Sequence, residues 1–590
     1  MITIDTLRAD RLGVYGYMGA RTPMIDGLAR GAARFSHAYA AAPITLPSHA
    51  TLMTGRYPPS HGARHNGMRV DPSVPTLAER LKAAGFATGA FVTAFPLDHR
   101  FGLQKGFDRY EDRMPATAQG RPANERPGRE VVDQALVWLT ANRGKRFFLW
   151  VHLFEPHAPY GRPGDRRPMT LRYDDEVAEV DRQVGRLISA LSADMRSTVT
   201  VIASDHGEAF GEHGEIGHSI FVYDTTLQVP LIIAGPSIDQ RVVDQPVGLV
   251  DVASTALKLL GLEPLTGDGI DLSPVLLGKQ LEGDDNQKAP ARELYAESFA
   301  PLLDFGWSPL RSIRAGGLKY IAAPKPELFN VTNDAAETAN LVGAQADRAR
   351  ALNERVNQIS PATLAPTAAL DPASLQRLQS LGYASGSGAQ TGSGQADRPD
   401  PKDRRDVAAR IAQVTSGELT GDALETTLLA ILKEDPRNPQ AHLRLGYVMA
   451  DSNRCKEAEP HFRAAIDANV PTADAHLGLA GCYAAARAFD KAEAVLRDAT
   501  VREPDNPVVI ANQAVVLSES GQAAKSVPLF QRALTLDPDF HEARFNLTIA
   551  LAKANRRSEA AAEAHELLKR LPANAPQRAE VQRLLEAVEK

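Results

Sequence analysis

The sequence predicts two architectures in succession. The first is an α/β domain whose mainly parallel sheet is sandwiched by helices and carries a small antiparallel subdomain. The second is an all-α solenoid of helical repeats. Three observations predict this. Over roughly the first 330 residues, short β-rich apolar runs alternate with amphipathic helical stretches. Residues 384–402 contain no aromatic residue and no aliphatic one larger than Ala. Beyond them a pattern recurs every 34 residues.

In the first part, strands are expected at Met1–Ile4, Gly89–Thr93, Phe147–Phe154, Val199–Ala203 and Val229–Ala234. Helices are expected at Pro75–Ala84, Glu130–Ala141 and Asp174–Leu191. Near-continuous apolar strands separated by helices imply a sheet covered on both faces. Ligands of such sheets bind beyond the carboxyl ends of the strands. Asp5 follows the first strand and Asp205 follows VTVIAS, so both are placed for that edge. Leu310–Ala323, with Gly316-Gly317 at its middle, reads as a hairpin of the small antiparallel subdomain.

The stretch 384–402 reads as a flexible linker, spanning roughly 25 Å root-mean-square as a coil. After it, AHLRLGYVM from Ala441, AHLGLAGCY from Ala475, VIANQAVVL from Val509 and ARFNLTIAL from Ala543 start 34 residues apart. A second helix follows each at a fixed offset, marked by Ala458/Phe462/Ala465, Ala492/Leu496/Ala499, Ser526/Phe530/Ala533 and Ala560/Ala564/Leu567. Leu424, Leu428 and Ile431 hold the same positions one period earlier. This period and pattern resemble the tetratricopeptide repeat, which implies a concave groove for a peptide or protein partner. The expected organisation is a catalytic domain over 1–345 with its antiparallel subdomain at about 290–345. A tail helix and connector (346–383), the linker (384–402) and the repeat domain (403–590) follow.

Composition excludes several classes. A net charge of −6 over 590 residues, with scattered basic residues, gives no footprint for nucleic acid. No run of about 18 uncharged apolar residues is present, so no membrane span is expected. The two cysteines, Cys455 and Cys482, lie among the repeats and read as structural; the first 400 residues can hold neither a disulfide framework nor a cysteine metal cluster. A strand begins at Met1, so the chain as written reads as cytoplasmic, or as periplasmic or exported if an upstream leader is missing.

Four segments carry the chemistry: ITIDTLRADRLG with Asp5; PITLPSHATLMTGRYPPSHG with Thr45; FLWVHLFEPHAPYG with His152, Glu155 and His157; and VIASDHGEAFGEHGEIGHSIFVYD with Asp205, His206, Glu208, His213 and His218. Taken singly, an Asp after a strand is often a helix cap, and a lone His is often a satisfied hydrogen-bonder. SDHGE differs: an acid and an imidazole side by side after a buried strand make a poor structural choice and a good metal pair. Together and in this order, the segments resemble the alkaline phosphatase superfamily, in particular its sulfatase branch. VPLIIAGP, YAES and the closing LKYIAAPKPELFNVTNDAAETANLVG extend the resemblance over nearly all of 1–345.

The resemblance implies a metal-dependent ester hydrolase or transferase. Asp5, Asp205 and His206 match metal ligands. Thr45 matches the nucleophile, whose oxygen also touches the metal. His157 and His218 match positions that bind the substrate's anionic group or protonate the leaving group. Arg56, Asn66 and Lys319 match contacts to substrate oxygens. The implied cofactor is a divalent ion (Zn, Mn or Ca), with one site expected and a second requiring an additional acid. The implied substrate is a small-molecule, glycan or lipid ester.

Two departures from the sulfatase pattern bear on the reaction. Sulfatases carry Cys or Ser at the Thr45 position, oxidised to formylglycine, within a motif ending in Arg; here the motif reads Thr45-Leu46-Pro47-Ser48-His49. Oxidised threonine would be a ketone, and the domain has no cysteine, so no formylglycine is expected. This favours phosphate or phosphonate esters, with sulfuric ester hydrolysis as the alternative. Asp5-Thr6 and Asp205-His206 lean towards a transition-metal phosphoesterase pattern rather than an all-oxygen Ca²⁺ site. A non-catalytic scaffold acting through its repeats is the competing reading of another class.

Overall fold

The structure is a computed structural model, and it describes residues 1–114, 124–161, 165–191, 197–279, 292–361, 398–415, 419–467, 473–538, 540–571, 575 and 577–589. These fall into two compact units, meeting in sequence between Leu419 and Thr420.

The first unit is built on a nine-stranded sheet. Its spatial order is Arg241–Val243, Ala33–Tyr39, Gln228–Ala234, Thr200–Ser204, Ile2–Ile4, Phe147–Leu153, Ala87–Phe91 and Arg109–Glu111, with Val247–Gly248 also pairing with Ala33–Tyr39. Every pairing is parallel except the two made by Gln228–Ala234. The expected mainly parallel sheet is therefore present, with one antiparallel strand inside it. Ile4, Ile202 and Ile232 have no exposed surface, as sequence runs buried on both faces require. The helices Gly128–Ala141 and Met169–Leu191 bury Val131, Val132, Ala135, Val177, Val180 and Val184 in the same core.

The small subdomain is a four-stranded antiparallel sheet of Leu294–Ser298, Leu310–Ala315, Leu318–Ala322 and Glu327–Asn330. The hairpin turn falls at Gly316-Gly317, where φ is 55° and 78°. Two successive positive φ values match the twist of a tight hairpin, and glycine adopts them without a Cβ penalty.

The connector departs from its expected course. Residues 384–397 of the expected linker lie outside the described residues. Residues 398–402 are not a loose coil: Ser308 N–H donates to Pro399 O at 2.9 Å, Lys325 N–H to Asp400 Oδ2 at 2.8 Å, and Asp400 is buried against Lys402. The helix Arg405–Thr415, expected to open the repeat domain, belongs instead to the first unit.

The second unit is a run of antiparallel helix pairs from Gly421–Glu434 to Arg578–Glu589. The residues singled out by the 34-residue period are its core: Ala458, Phe462, Ala465, Ala492, Leu496, Ala499, Ser526, Phe530, Ala533, Ala560 and Ala564 are fully buried. Phe462 shows why small residues recur. A Cβ on Gly446 would stand 2.7 Å from its ring, and one on Gly478 would stand 2.4 Å from it. Cys455 and Cys482 form a disulfide joining the helices Cys455–Asp467 and Asp474–Ala485. Among the described residues, no helix is long and apolar enough to cross a membrane.

Candidate active site

The site begins at the carboxyl ends of two neighbouring parallel strands. Ile4 pairs with Ser204, so Asp5 and Asp205 leave the sheet side by side. Ser204 ties the two exits together: its Oγ donates to Ile4 O at 2.7 Å and accepts from Leu7 N–H at 2.9 Å. Thr6 takes φ 54°, unusual for a β-branched residue. Its N–H points to Asp205 Oδ1 at 3.3 Å, and Tyr173 donates to its carbonyl at 2.8 Å.

This backbone satisfies one side of each ligand candidate and leaves the other open. Asp205 Oδ1 accepts from Thr6 N–H and His206 N–H (2.9 Å), whereas Oδ2 has no hydrogen-bond partner. His206 Nδ1 donates to Gly207 O at 3.0 Å, which leaves Nε2 as a partnerless lone pair. Both oxygens of Asp5 are unbonded. His206 Nε2 lies 3.6 Å from Asp5 Oδ1 and 3.5 Å from Asp205 Oδ2. All three side chains are fully buried, and one ligand atom from each falls within a 4.8 Å cluster.

The electrostatics follow. Burial pushes Asp5 up to about 8, with His218 and the Thr45 hydroxyl pulling the other way, and Asp205 is raised well above the carboxylate range by burial and by Asp5 itself. Burial drives His206 well below the ordinary histidine range. Two carboxylates and a neutral imidazole buried with unpaired atoms are costly alone. A bound divalent cation would reverse that balance, so the donor set fits a transition-type ion.

Thr45 is the first residue of the helix Thr45–Thr54. Its Oγ is buried, faces Asp5 and makes no hydrogen bond of ordinary geometry. The helix N-terminus directs backbone N–H groups and a partial positive charge to this end. Asn66 is beside it: its Oδ1 accepts from Leu46 N–H at 2.8 Å, and its Nδ2 is a buried donor without a partner.

A second group flanks the first. His218 Nδ1 is 3.1 Å from Glu208 Oε1, and its ring centroid is 4.5 Å from His206 and 5.0 Å from His157. Burial would lower His218, but Glu208 outweighs it and raises the pKa. His157 stacks on Phe154 at 4.2 Å and is lowered to about 4, chiefly by burial. Glu208 is a buried acid beside these two histidines. Its Oε2 is buried without a partner.

Asp5, Thr45, Asp205, His206, His157, His218 and Asn66 are thus gathered at one sheet edge. Arg56 and Lys319 are placed otherwise. Arg56 lies beyond the far end of the helix Thr45–Thr54, about 15 Å from Thr45 along its axis. Lys319 is buried with Nζ 2.7 Å from both Asp224 Oδ1 and Glu337 Oε1, so its charge is already matched. Sequence reasoning singled out His152 without assigning it a role, and it gave His49 none. His49 Nδ1 donates to Thr45 O at 2.8 Å and lies 3.4 Å from Asp205 Oδ2; His152 Nε2 lies 3.3 Å from Asp5 Oδ2. The available signal was position: His49 is one helical turn after Thr45, and His152 is on the strand paired with Ile2–Ile4.

Comparison with known proteins bears on the two parts of the chain. Residues 1–262 match the sulfatase family, and residues 450–507 and 517–588 match tetratricopeptide repeat families. The chain is 28% identical to steryl-sulfatase of Mus musculus, over 63% of this chain and 82% of that protein. It is 30% identical to N-acetylgalactosamine-6-sulfatase of Canis lupus familiaris, over 48% of this chain and 66% of that one. The crystal structure of the phosphonate monoester hydrolase of Agrobacterium radiobacter shares the fold, with a TM-score of 0.51 at 21% identity over 61% of this chain and 94% of that one. The chain therefore carries an ester-hydrolase domain of the sulfatase family, matched over residues 1–262, followed by tetratricopeptide repeats.

Proposed function

We propose that the sulfatase domain cleaves phosphate or phosphonate esters through Thr45, with hydrolysis or transfer to another hydroxyl as the second step. The observation that carries this reading is the buried, partnerless Thr45 Oγ at a helix N-terminus beside Asp5. Asp5, Asp205 and His206, with Thr45 itself, would hold a divalent cation. That ion would supply Lewis acidity, lowering the pKa of the Thr45 hydroxyl and offsetting the ester's negative charge.

The chain's own groups do the rest. Thr45 Oγ, its proton released to water as its pKa falls, attacks phosphorus in line, and the P–O bond to the leaving group breaks. His218, oriented by Glu208, or His157 beside it, protonates the departing oxygen. Asn66 Nδ2 and the N–H groups at the helix start bind the non-bridging oxygens. Water then attacks the threonyl-phosphate at phosphorus and restores the hydroxyl. A plain threonine lacks the second hydroxyl by which a formylglycine hydrate expels sulfate, which favours phosphorus over sulfur. The matched relatives named as sulfatases favour sulfate esters as the second reading. The repeat unit would dock a peptide or protein partner in its groove.

The test is a panel: aryl phosphate, phosphodiester, phosphonate and sulfate, each with Zn²⁺, Mn²⁺ and Ca²⁺ loaded separately. Phosphorus esters should turn over faster, and Thr45→Ala should lower kcat by at least about 10³-fold. Faster sulfate turnover would overturn the substrate class, and full activity in Thr45→Ala would overturn the mechanism.

A further inference from the structure

The helix Arg405–Thr415 packs on the turn that carries His218. It lies against the 3₁₀ turn Glu212–Gly214 and the strand Ile216–Gly217, with Val407, Ala408, Ile411 and Val414 buried. Its first residue makes the closest approach. The Arg405 guanidinium donates to Tyr223 Oη at 2.8 Å, and Tyr223 donates in turn to Glu327 at 2.8 Å. The Tyr223 ring is stacked on His213 at 3.7 Å, with planes 10° apart. Gly214 takes φ 79°, and a Cβ there would stand 2.9 Å from Arg405 Cβ.

The turn needs such a wall. His213 (φ 54°) and Ser219 (φ 90°) are non-glycine residues in the left-handed half of backbone space, on either side of His218. Strain of this kind, roughly 1–3 kcal/mol per residue, persists only where the surroundings over-determine it. From inside, Glu215 Oε1 accepts from the N–H groups of Ile220 and Phe221, and Arg8 pairs with Glu212 at 2.7 Å. From outside, the wall is the helix Arg405–Thr415. Its approach is fixed by the bonds of Pro399 to Ser308 and of Asp400 and Asp403 to Lys325.

We propose that residues 398–415 form a clamp on the 211–223 turn, and that Arg405 is a positioning residue for the reaction, holding His218 against Glu208 and over the ligand cluster. The role given to His218 rests on the proposed hydrolase reading; the clamp itself rests on the contacts above. It makes the segment leading to the repeats a working part of the hydrolase rather than a tether.

The full chain is tested as Arg405→Ala, Arg405→Lys and Tyr223→Phe, with the exposed Lys145→Ala, outside the clamp, as control. Hydrogen–deuterium exchange and steady-state kinetics are measured, the latter on the aryl ester the parent chain turns over fastest. Amides of 209–223 should exchange at least about 10-fold faster in Arg405→Ala, with the rest of the domain unchanged. Its kcat should fall about 10-fold or more with KM within about 2-fold, because the loss is of alignment rather than affinity. Tyr223→Phe should shift both in the same direction by less. Unchanged exchange at 209–223, a rise spread evenly over the domain, or an unchanged kcat would overturn the proposal. If the parent chain turns over none of the esters, the hydrolase reading fails, while the exchange arm still decides whether the clamp exists. If Arg405→Ala does not fold, Arg405→Lys and Tyr223→Phe decide it.

Discussion

Lys319→Met separates two roles that the sequence cannot distinguish. The family resemblance makes Lys319 a contact to substrate oxygens; the structure encloses it between Asp224 and Glu337, each at 2.7 Å. Removing one partner of a buried ion pair costs about 3–5 kcal/mol, because the other charge is left uncompensated. Asp224 would keep its pair with Arg314, and Glu337 Oε2 would keep the Asp224 N–H at 2.6 Å. The expected loss is therefore at the lower end, about 3 kcal/mol. All three tryptophans, Trp138, Trp150 and Trp307, lie in the first unit, so their fluorescence follows this unit alone. With an m-value of at least about 3 kcal/mol/M for a domain of this size, the urea midpoint should fall by up to about 1 M. KM should stay within about 2-fold, since uniform binding to substrate is not what is lost. An unchanged midpoint with KM raised more than about 10-fold would show that the nitrogen reaches substrate, and the structural reasoning would fail.

Other expectations follow from the same geometry. The Cys455–Cys482 disulfide closes a separation of 27 residues, a constraint worth about 3–4 kcal/mol on a chain-entropy account; reduction should lower the helical melting transition in far-ultraviolet circular dichroism, and an unchanged Tm would refute it. Burial would raise Asp224, but Lys319 and Arg314 outweigh it and hold it at about 2. Its stabilisation is thus complete above its ordinary value of 3.8 and is lost as pH falls towards 2. Glu337, pushed up to about 7 chiefly by burial, acts oppositely and costs stability as pH rises from 4.5 through 7. Glu337→Gln should therefore flatten fluorescence-monitored stability between those pH values while leaving the acid limb in place. Adding Zn²⁺ or Mn²⁺ should raise the tryptophan-reported Tm, by about 2.7 kcal/mol of linkage at 100 times Kd. Asp205→Asn should abolish the rise; an equal rise in that variant would move the metal elsewhere.

What was legible in the sequence was what local pattern fixes. Asp5 and Asp205 were placed because a short apolar run followed at once by an acid marks a strand's carboxyl end, and a parallel sheet brings such ends together. The repeats were legible because each small or large residue recurs where its helix faces the same neighbour, as Phe462 faces Gly446 and Gly478. Strand Ala33–Tyr39 was missed because its burial is interrupted by half-exposed and exposed positions, unlike the uniformly buried runs beside it. The surroundings of Lys319 and Arg56 were not legible, because motif order says nothing of distance. Asp224 reaches Lys319 across 95 residues, and a ten-residue helix separates Arg56 from Thr45. The helix Arg405–Thr415 has the same amphipathic signature as a repeat helix. Only its tertiary partners, Tyr223 and the 3₁₀ turn Glu212–Gly214, distinguish the two.

His49 gives the departure from the sulfatase motif a physical meaning. The motif's arginine would carry a permanent charge one turn after the nucleophile, whereas burial drives His49 well below its ordinary range, so it is neutral. Its neighbours behave alike: His152 is lowered to about 3 and His206 well below its ordinary range, both mainly by burial. Among the described residues, the basic side chains within 4.0 Å of the Asp5 and Asp205 carboxylates are these three imidazoles. The protein thus supplies the carboxylates with no fixed positive charge in direct contact. In a fully buried cluster, the remaining ways to relieve them are protonation or a bound cation. Protonated carboxyls could donate to His206 Nε2, 3.5–3.6 Å away, whereas a cation would engage Asp5, Asp205, His206 and Thr45 at once. With a neutral histidine where the motif has arginine, compensation of the buried carboxylates would fall to a bound cation.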